Sequence, residues 1–268
     1  MQIAGTTTLV TGAASGLGRE LALQLAQRGC TVWLADRNGD ALDGVAAEVS
    51  AAGGTPHTLV LDVTDDEGWV AARARVGRVD LLVNNAGVAD VGPLVGSTDA
   101  AWDRQLNINV MGVVRGCRQF VPAMVDARRG HVVNIASFAG VALAPGMIAY
   151  NTAKAAVVAF SESLRVEVAL DGVGVTVCCP AFFRTNLTDS MDDASPDMVR
   201  RVQRWMDTSG VTATDVALAT LRAVERNEMM VLTHSLTRRY HWMKRLAPER
   251  YRRMLLQQEA KRRARSSS

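Results

Sequence analysis

Residues 7–18 read TTLVTGAASGLG: an apolar, β-branched run breaks directly into a loop with glycines at 12, 16 and 18, and an amphipathic stretch follows at once. A buried strand, a glycine turn and a helix in that order let the backbone reverse sharply and come close to a ligand. The free N–H groups and positive dipole end of the helix then face that ligand, an arrangement suited to a pyrophosphate. A glycine triplet alone is weak, because loops are glycine-rich for conformational reasons; its place between strand and helix gives it weight. The contacts expected from this loop are Gly12, Ser15, Gly16, Leu17 and Gly18.

The alternation continues outward. Strand-like runs recur at Thr7 to Val10, Thr31 to Ala35, His57 to Leu61, Val79 to Val83, His131 to Ile135, Val173 to Cys178 and Met229 to Leu232. Stretches of helical period separate them, at Leu17 to Arg28, Gly39 to Ala51, Asp66 to Arg75, Asp99 to Val125, Tyr150 to Leu170 and Ala213 to Asn227. Thr98 and Thr212 sit where N-caps belong. About seven buried strands with helices between them predict an α/β protein whose parallel sheet is covered on both faces. No repeat or linker breaks the pattern, so residues 1–233 read as one domain and 234–268 as a C-terminal extension. Residues 185–210 are polar, punctuated by Pro196 and Gly210, and read as a mobile lid.

The 268 residues are 48% hydrophobic, enough to fill a core, and carry a formal net charge of +3. From Arg238 onward there are 11 Lys and Arg against 2 Asp and Glu, whereas residues 1–237 hold 19 against 25, so the basic character belongs to the tail. No run of 18 apolar residues and no basic leader with an apolar core is present, which points to a cytoplasmic protein. Cys30, Cys117, Cys178 and Cys179 have no metal-ligand or CxxC spacing and read as reduced core thiols; no metal site is expected.

The second strand, TVWLAD, ends at Asp36, about 20 residues beyond the glycine loop. A carboxylate there can accept both hydroxyls of an adenosine ribose and repels a 2′-phosphate, which favours NAD over NADP. Arg37 next to it could offset that repulsion or stack on adenine, so NADP stays open. Asp62 and Val63, after the third strand, can hold the adenine edge by a carboxylate and a backbone N–H.

Further motifs follow in order: NNAG at 84–87, Asn109 in NVMG, Ser137 in NIASFAG, and Tyr150 with Lys154 in YNTAK. With TGAASGLG at 11–18, these five resemble the short-chain dehydrogenase/reductase family in its non-extended form and span residues 7–185. The resemblance implies a three-layer, Rossmann-type doubly wound sheet, a nicotinamide cofactor, and hydride transfer between an alcohol and a ketone. It also implies that Asn85, Ala86 and Gly87 lie near the cofactor, that Thr185 binds its carboxamide, and that Asn109 holds a water relaying protons from Lys154. Helices 99–125 and 150–170 would pair across subunits of a homodimer or homotetramer. Two departures stand out: Ala181 replaces the family's glycine after Pro180, and the segment before the fourth strand is short.

Elementary chemistry leads to Ser137, Tyr150 and Lys154 as well, and the resemblance adds Asn109 to them. One helical turn brings Tyr150 and Lys154 onto one face, where an ammonium can lower a phenol from about 10 toward working pH. Such a tyrosine serves as acid and base, while Ser137, at the carboxyl end of the fifth strand, can hold the substrate oxygen against it. An amide buried in the helix 99–125 must be satisfied; Asn107 is rotated to another face, and the resemblance, through the VMG that follows, selects Asn109, for which a core amide filling a kink is the alternative.

The expected substrate wall is apolar: Phe138, Ala139, Val141, Leu143, Pro145, Gly146, Met147, Phe182 and Phe183, with Met191, Met198, Trp205 and Met206 from the lid. Its only cations are Arg184, Arg200, Arg201 and Arg204, so a hydrophobic, lipid-, steroid- or retinoid-like secondary alcohol or ketone is expected. The tail carries Trp242, Met243, Leu246, Tyr251, Met254 and Leu255 among its basic residues. It could lie peripherally on an anionic membrane or pack on its own domain or a neighbouring subunit; nucleic acid is not expected. The alternatives to an NAD-dependent dehydrogenase are an NADP-dependent carbonyl reductase and a non-catalytic dinucleotide-binding protein.

Overall fold

A computed structural model describes residues 1–89, 91–183 and 196–266. Thr185 and Met191 fall outside them, as do Arg184 and the side chains of Met198 and Arg201. The chain runs β1 (Thr7–Thr11), α1 (Gly16–Ala26), β2 (Thr31–Asp36), α2 (Gly39–Ala51), β3 (Thr55–Val60), α3 (Asp66–Val76) and β4 (Leu81–Asn84). It continues through α4 (Asp99–Leu106), a π-helical turn at Asn107–Met111, α5 (Gly112–Asp126), β5 (Gly130–Ile135), α6 (Phe138–Ala142), α7 (Ile148–Val168) and β6 (Val173–Cys178). The last elements are α8 (Pro196–Asp207), α9 (Ala213–Glu225), β7 (Met230–Val231), α10 (Ser235–Leu246) and α11 (Pro248–Ser266).

All seven strands are parallel, in the order β3-β2-β1-β4-β5-β6-β7. The chain first winds one way from β1 and then the other, so a crevice opens at the carboxyl ends of β1 and β4, the position where such sheets bind ligands. Both faces are covered. Leu21 and Leu25 of α1, Leu42 and Val49 of α2, and Leu221 and Val224 of α9 pack on one side. Trp69 of α3, Phe120 and Met124 of α5, and Val157 and Leu164 of α7 pack on the other. The expected doubly wound architecture is thus observed. Thr98 accepts the Ala101 N–H, and Thr212 forms a reciprocal capping box with Asp215, which fixes the starts of α4 and α9.

One reading needs correction, and two helices were not foreseen. The helix expected over 99–125 is interrupted by the π-turn, which adds a residue to one turn and aims Asn109 inward. Within the stretch 185–210 read as a lid, Pro196–Asp207 form α8, a helix not placed from sequence. Val199, Val202 and Met206 recur at helical spacing between arginines, and that stripe packs on Met147 and Tyr150. Finally, α6 follows Ser137 directly and is too short to leave a periodic signal. The four cysteines are buried and unpaired. No helix among the described residues is long and apolar enough to cross a membrane.

Candidate active site

A cleft of about 760 Å³ runs from the glycine loop to α8. Of the residues expected at a site, Gly12, Ser15, Gly16, Leu17, Asp36, Arg37, Asp62, Val63, Asn85, Ala86, Gly87, Ser137, Tyr150 and Lys154 all line it. Gly18 and Asn109 lie behind this surface, and Thr185 is outside the described residues.

The loop is built for close approach. Gly12 and Gly16 have φ of +64° and +52°. A Cβ on Gly18 would collide with the Gly12 carbonyl and come within 2.6 Å of Asn85 Nδ2, so only glycine lets α1 start this close to the turn. The NNAG segment staples the loop from below. The N–H groups of Asn85 and Ala86 donate to Thr11 Oγ1 at 3.0 and 3.1 Å, and Asn85 Nδ2 donates to the Thr11 and Gly12 carbonyls. Side chains cap α2, α3, α4 and α9, but Ser15 makes no capping hydrogen bond at the start of α1. These first-turn donors face the cleft, which fits a pyrophosphate.

Asp36 ends β2 at the cleft rim. Its Oδ2 accepts the Ala14 N–H at 3.1 Å and its Oδ1 accepts the Asn38 N–H at 3.0 Å, which leaves lone pairs on both oxygens for a ribose. Asp62 is bound into its own turn, where Thr64 donates to Oδ1 from both N–H and hydroxyl. The Thr64 N–H, opposed by burial and helped by Arg37 and Arg115, holds that carboxyl below its usual range.

At the other end, Ser137 N-caps α6, its hydroxyl accepting the Ala139 N–H at 3.1 Å. It also hydrogen-bonds with Tyr150. Lys154, 4% exposed, donates to the Ile135 carbonyl at 3.0 Å, and its Nζ sits 5.8 Å from the centroid of the Tyr150 ring. The expectation that this ammonium lowers the phenol is not met in the structure. Burial pushes Tyr150 up to about 12, with only the Ser137 hydrogen bond opposing, and burial brings Lys154 down to about 8. Desolvation is the largest influence on both groups, and the Lys154 ammonium is engaged by the Ile135 carbonyl.

Asn109 is fully buried. It donates to the Val88 carbonyl at 3.0 Å and to Gln105 Oε1 at 2.8 Å, and accepts the Val88 N–H at 3.2 Å. Asn107 instead accepts from Arg115. Between Asn109 and Lys154 lies Gly87, where a Cβ would come within 2.7 Å of Asn109 Oδ1 and 3.2 Å of Lys154 Nζ.

Of the expected substrate wall, Phe138, Ala139, Met147, Phe182, Phe183 and Met206 line the cleft; Val141, Leu143, Pro145, Gly146 and Trp205 do not. Val141 turns into the core and Leu143 outward, while Trp205 backs the wall through a ring contact with Phe182 at 4.8 Å. Ala181 takes no positive φ, so the turn after Pro180 forms without the family's glycine. Its N–H donates to Nδ1 of His234 at 3.2 Å, and the other ring nitrogen of His234 reaches the Phe182 carbonyl at 3.1 Å. That acceptor role fixes the neutral tautomer protonated at Nε2. Sequence reasoning missed His234, since 53 residues separate it from the turn it braces. It also missed Arg104 and Ile108, which reach the cleft from α4 and the π-turn.

In the tail, Tyr251 is buried, Met243, Met254 and Leu255 are half-buried, and Trp242 and Leu246 face solvent.

Comparison with known proteins gives consistent matches. The family described as short chain dehydrogenase matches residues 6–196. Probable oxidoreductase EphD of Mycobacterium tuberculosis (strain ATCC 25618 / H37Rv) is 41% identical over 187 residues, covering 68% of this chain but only 32% of that protein's length. Among solved structures, a short-chain dehydrogenase/reductase from Burkholderia phymatum in complex with NAD has a TM-score of 0.85 at 33% identity, covering 91% of this chain and 94% of that one. A short-chain dehydrogenase from Sphingobium yanoikuyae in complex with NADPH has a TM-score of 0.73 at 29% identity, covering 84% and 87%.

Proposed function

The chain belongs to the short-chain dehydrogenase family, and from that premise we propose that it is an NAD(P)-dependent oxidoreductase acting on CH–OH groups, one that interconverts a hydrophobic secondary alcohol and its ketone using NAD. The observation that carries this reading is one continuous cleft with an uncapped helix N-terminus and Asp36 at one end and Ser137, Tyr150 and Lys154 at the other. The bound nicotinamide would supply the hydride acceptor or donor. Gly12 to Leu17 would hold the pyrophosphate and Asp36 the adenosine ribose, with Asp62 and Val63 near the adenine.

Ser137 would hold the substrate oxygen and Tyr150 would exchange its proton. With its phenol raised to about 12, Tyr150 is protonated at neutral pH and ready as the donor in ketone reduction; as a base in oxidation it needs alkaline pH or added positive charge. Lys154 and Asn109, facing each other across Gly87, would pass protons onward. Phe138, Met147, Phe182 and Met206 favour an apolar substrate. A panel of hydrophobic and small charged alcohols and ketones, followed by nicotinamide absorbance with both cofactors, tests the reading; turnover of the charged set alone would refute the substrate class. NADH binding with no turnover of any panel member would instead favour a non-catalytic dinucleotide-binding protein.

Outward-facing Met111 and Val166, 40% and 79% exposed, support association through the α4–α5 and α7 faces, which sedimentation would measure. Exposed Trp242 and Leu246, one turn apart beside Arg239 and Arg245, support a peripheral contact with an anionic membrane. Equal flotation of the full chain and a truncation after residue 237 with anionic liposomes would remove that contact.

A further inference from the structure

Among the described residues, the C-terminal helices contribute no strand to the sheet and no residue to the wall of the cleft. They are nevertheless fastened to the element that begins at Ser137. A helix of five residues cannot satisfy its own terminal carbonyls, and the chain leaves α6 at Leu143 with φ of +54°, so no further turn covers them. The tail does. Tyr251, 3% exposed, donates its hydroxyl to the Ala142 carbonyl, and Lys244 Nζ donates to the Val141 carbonyl at 3.3 Å. Ring contacts reinforce the grip: Phe138 lies 5.9 Å from Tyr240, and Tyr240 lies 5.9 Å from Tyr251. Arg245 ties α10 to Glu162 on α7 at 3.8 Å. On the opposite side α6 has no slack, because a Cβ on Gly140 would fall 2.6 Å from the Lys154 carbonyl oxygen. The short helix is therefore held between α7 and the tail, with Ser137 as its N-cap and Phe138 and Ala139 on the cleft wall.

We propose that α10 and α11 form a clamp that positions Ser137, with Tyr251 and Lys244 acting as positioning residues through the carbonyls of α6. The role of Ser137 in turnover rests on the proposed dehydrogenase reading; the grip on α6 does not. The basic tail is then a working part of the site, whatever else its outer face meets.

The test compares the full-length protein with Tyr251→Phe, Lys244→Gln and the double variant. Tyr251→Phe keeps the ring contacts and removes only the donor, so the fold should survive. Amide hydrogen exchange should quicken about tenfold over residues 138–143 in Tyr251→Phe, and further in the double variant, while α1 stays unchanged. For the best alcohol of the panel, kcat should drop about fivefold to tenfold, with NADH affinity within about twofold of wild type. A general loss of structure would move NADH affinity as well. Unchanged exchange over 138–143 overturns the proposal, and so does faster exchange with unchanged kcat. A wild-type protein that binds NADH but turns over nothing refutes the proposed function instead, and the exchange comparison still decides the clamp.

Discussion

Replacing Asp36 by alanine should invert the cofactor preference, and the structure sets the scale. Each Asp36 oxygen already accepts one backbone N–H, from Ala14 at 3.1 Å and from Asn38 at 3.0 Å. A ribose diol would use the remaining lone pairs, in charge-assisted bonds worth about 1.5 kcal/mol each at the lower end of their range, because the acceptors are shared. Losing both costs about 3 kcal/mol, roughly a hundredfold in NADH affinity. For NADPH the sign reverses. A carboxylate about 4 Å from a phosphate charge is repelled by about 1 kcal/mol in water and about 4 kcal/mol at an effective dielectric constant near 20. The rim is open, so lifting the charge should gain about 1–2 kcal/mol, roughly fivefold to thirtyfold, and Arg37 is left unopposed beside the phosphate. The ratio of the two dissociation constants should therefore swing by about 500-fold or more.

The ratio is the right readout, because loss of the Ala14 hydrogen bond also loosens the glycine loop and weakens both cofactors alike. Asp36→Asn separates the effects: its amide oxygen can keep one N–H while the charge is gone. Fluorescence titration of wild type and both variants with NADH and NADPH gives the constants, and added salt should shrink the NADPH gain. A ratio that stays within about threefold of wild type in Asp36→Ala, or a wild type that prefers NADPH, would refute the reasoning.

Tyr150→Phe keeps the buried ring and should cut turnover by about 10²–10⁴-fold with little change in NADH affinity; steady-state rates equal to wild type would remove Tyr150 from the chemistry. Gly87→Ala places a methyl 2.7 Å from Asn109 Oδ1 and 3.2 Å from Lys154 Nζ. It should destabilise by about 1–3 kcal/mol in urea unfolding, and a midpoint equal to wild type would show that this gap yields freely. Burial lowers His131 to about 3, so the native state refuses a proton that the unfolded chain takes up below about 6.5. The stability from this neutral His is full above about pH 6.5 and is lost as pH falls toward 3, by up to about 1.4 kcal/mol per pH unit. His234 and His241 are lowered in the same direction, again mainly by burial. Urea midpoints between pH 7 and pH 4 should slope less steeply in His131→Gln, which can still donate to Thr176 Oγ1; equal slopes would exclude His131 as a source of acid lability.

The strands were legible because each is a short apolar run between turn residues, and β6 falls at Val173–Cys178, as the pattern predicts. The starts of α4 and α9 were legible because Thr98 and Thr212 announce them. Local signals failed where the deciding contact is distant. FAGVA is too short to leave a periodic signal, and its last carbonyls are met by Lys244 and Tyr251, more than 100 positions away. Met243, Met254 and Leu255 looked alike as tail apolar residues, yet only the packing tells them from exposed Trp242 and Leu246. The π-turn is silent in sequence, since one added residue is paid for by the Asn109 bridge to Val88, 21 positions away.

The electrostatics of Tyr150 and Lys154 were the least legible part, and the reason is general. Spacing along a helix says that two side chains share a face; it does not say how much water reaches them, nor which atoms meet. Here both groups are buried, and the ammonium is spent on the Ile135 carbonyl. Its distance of 5.8 Å to the ring centroid is compatible with attraction, but desolvation of each group acts without a partner and shifts both away from the charged form. A phenol near 12 beside an amine near 8 holds its proton at neutral pH. If this pair is to act as a base, positive charge must enter the cleft with the reactants, and the oxidation rate should climb with pH where the reduction rate falls. Parallel pH profiles for the two directions would mean that some other group carries the proton.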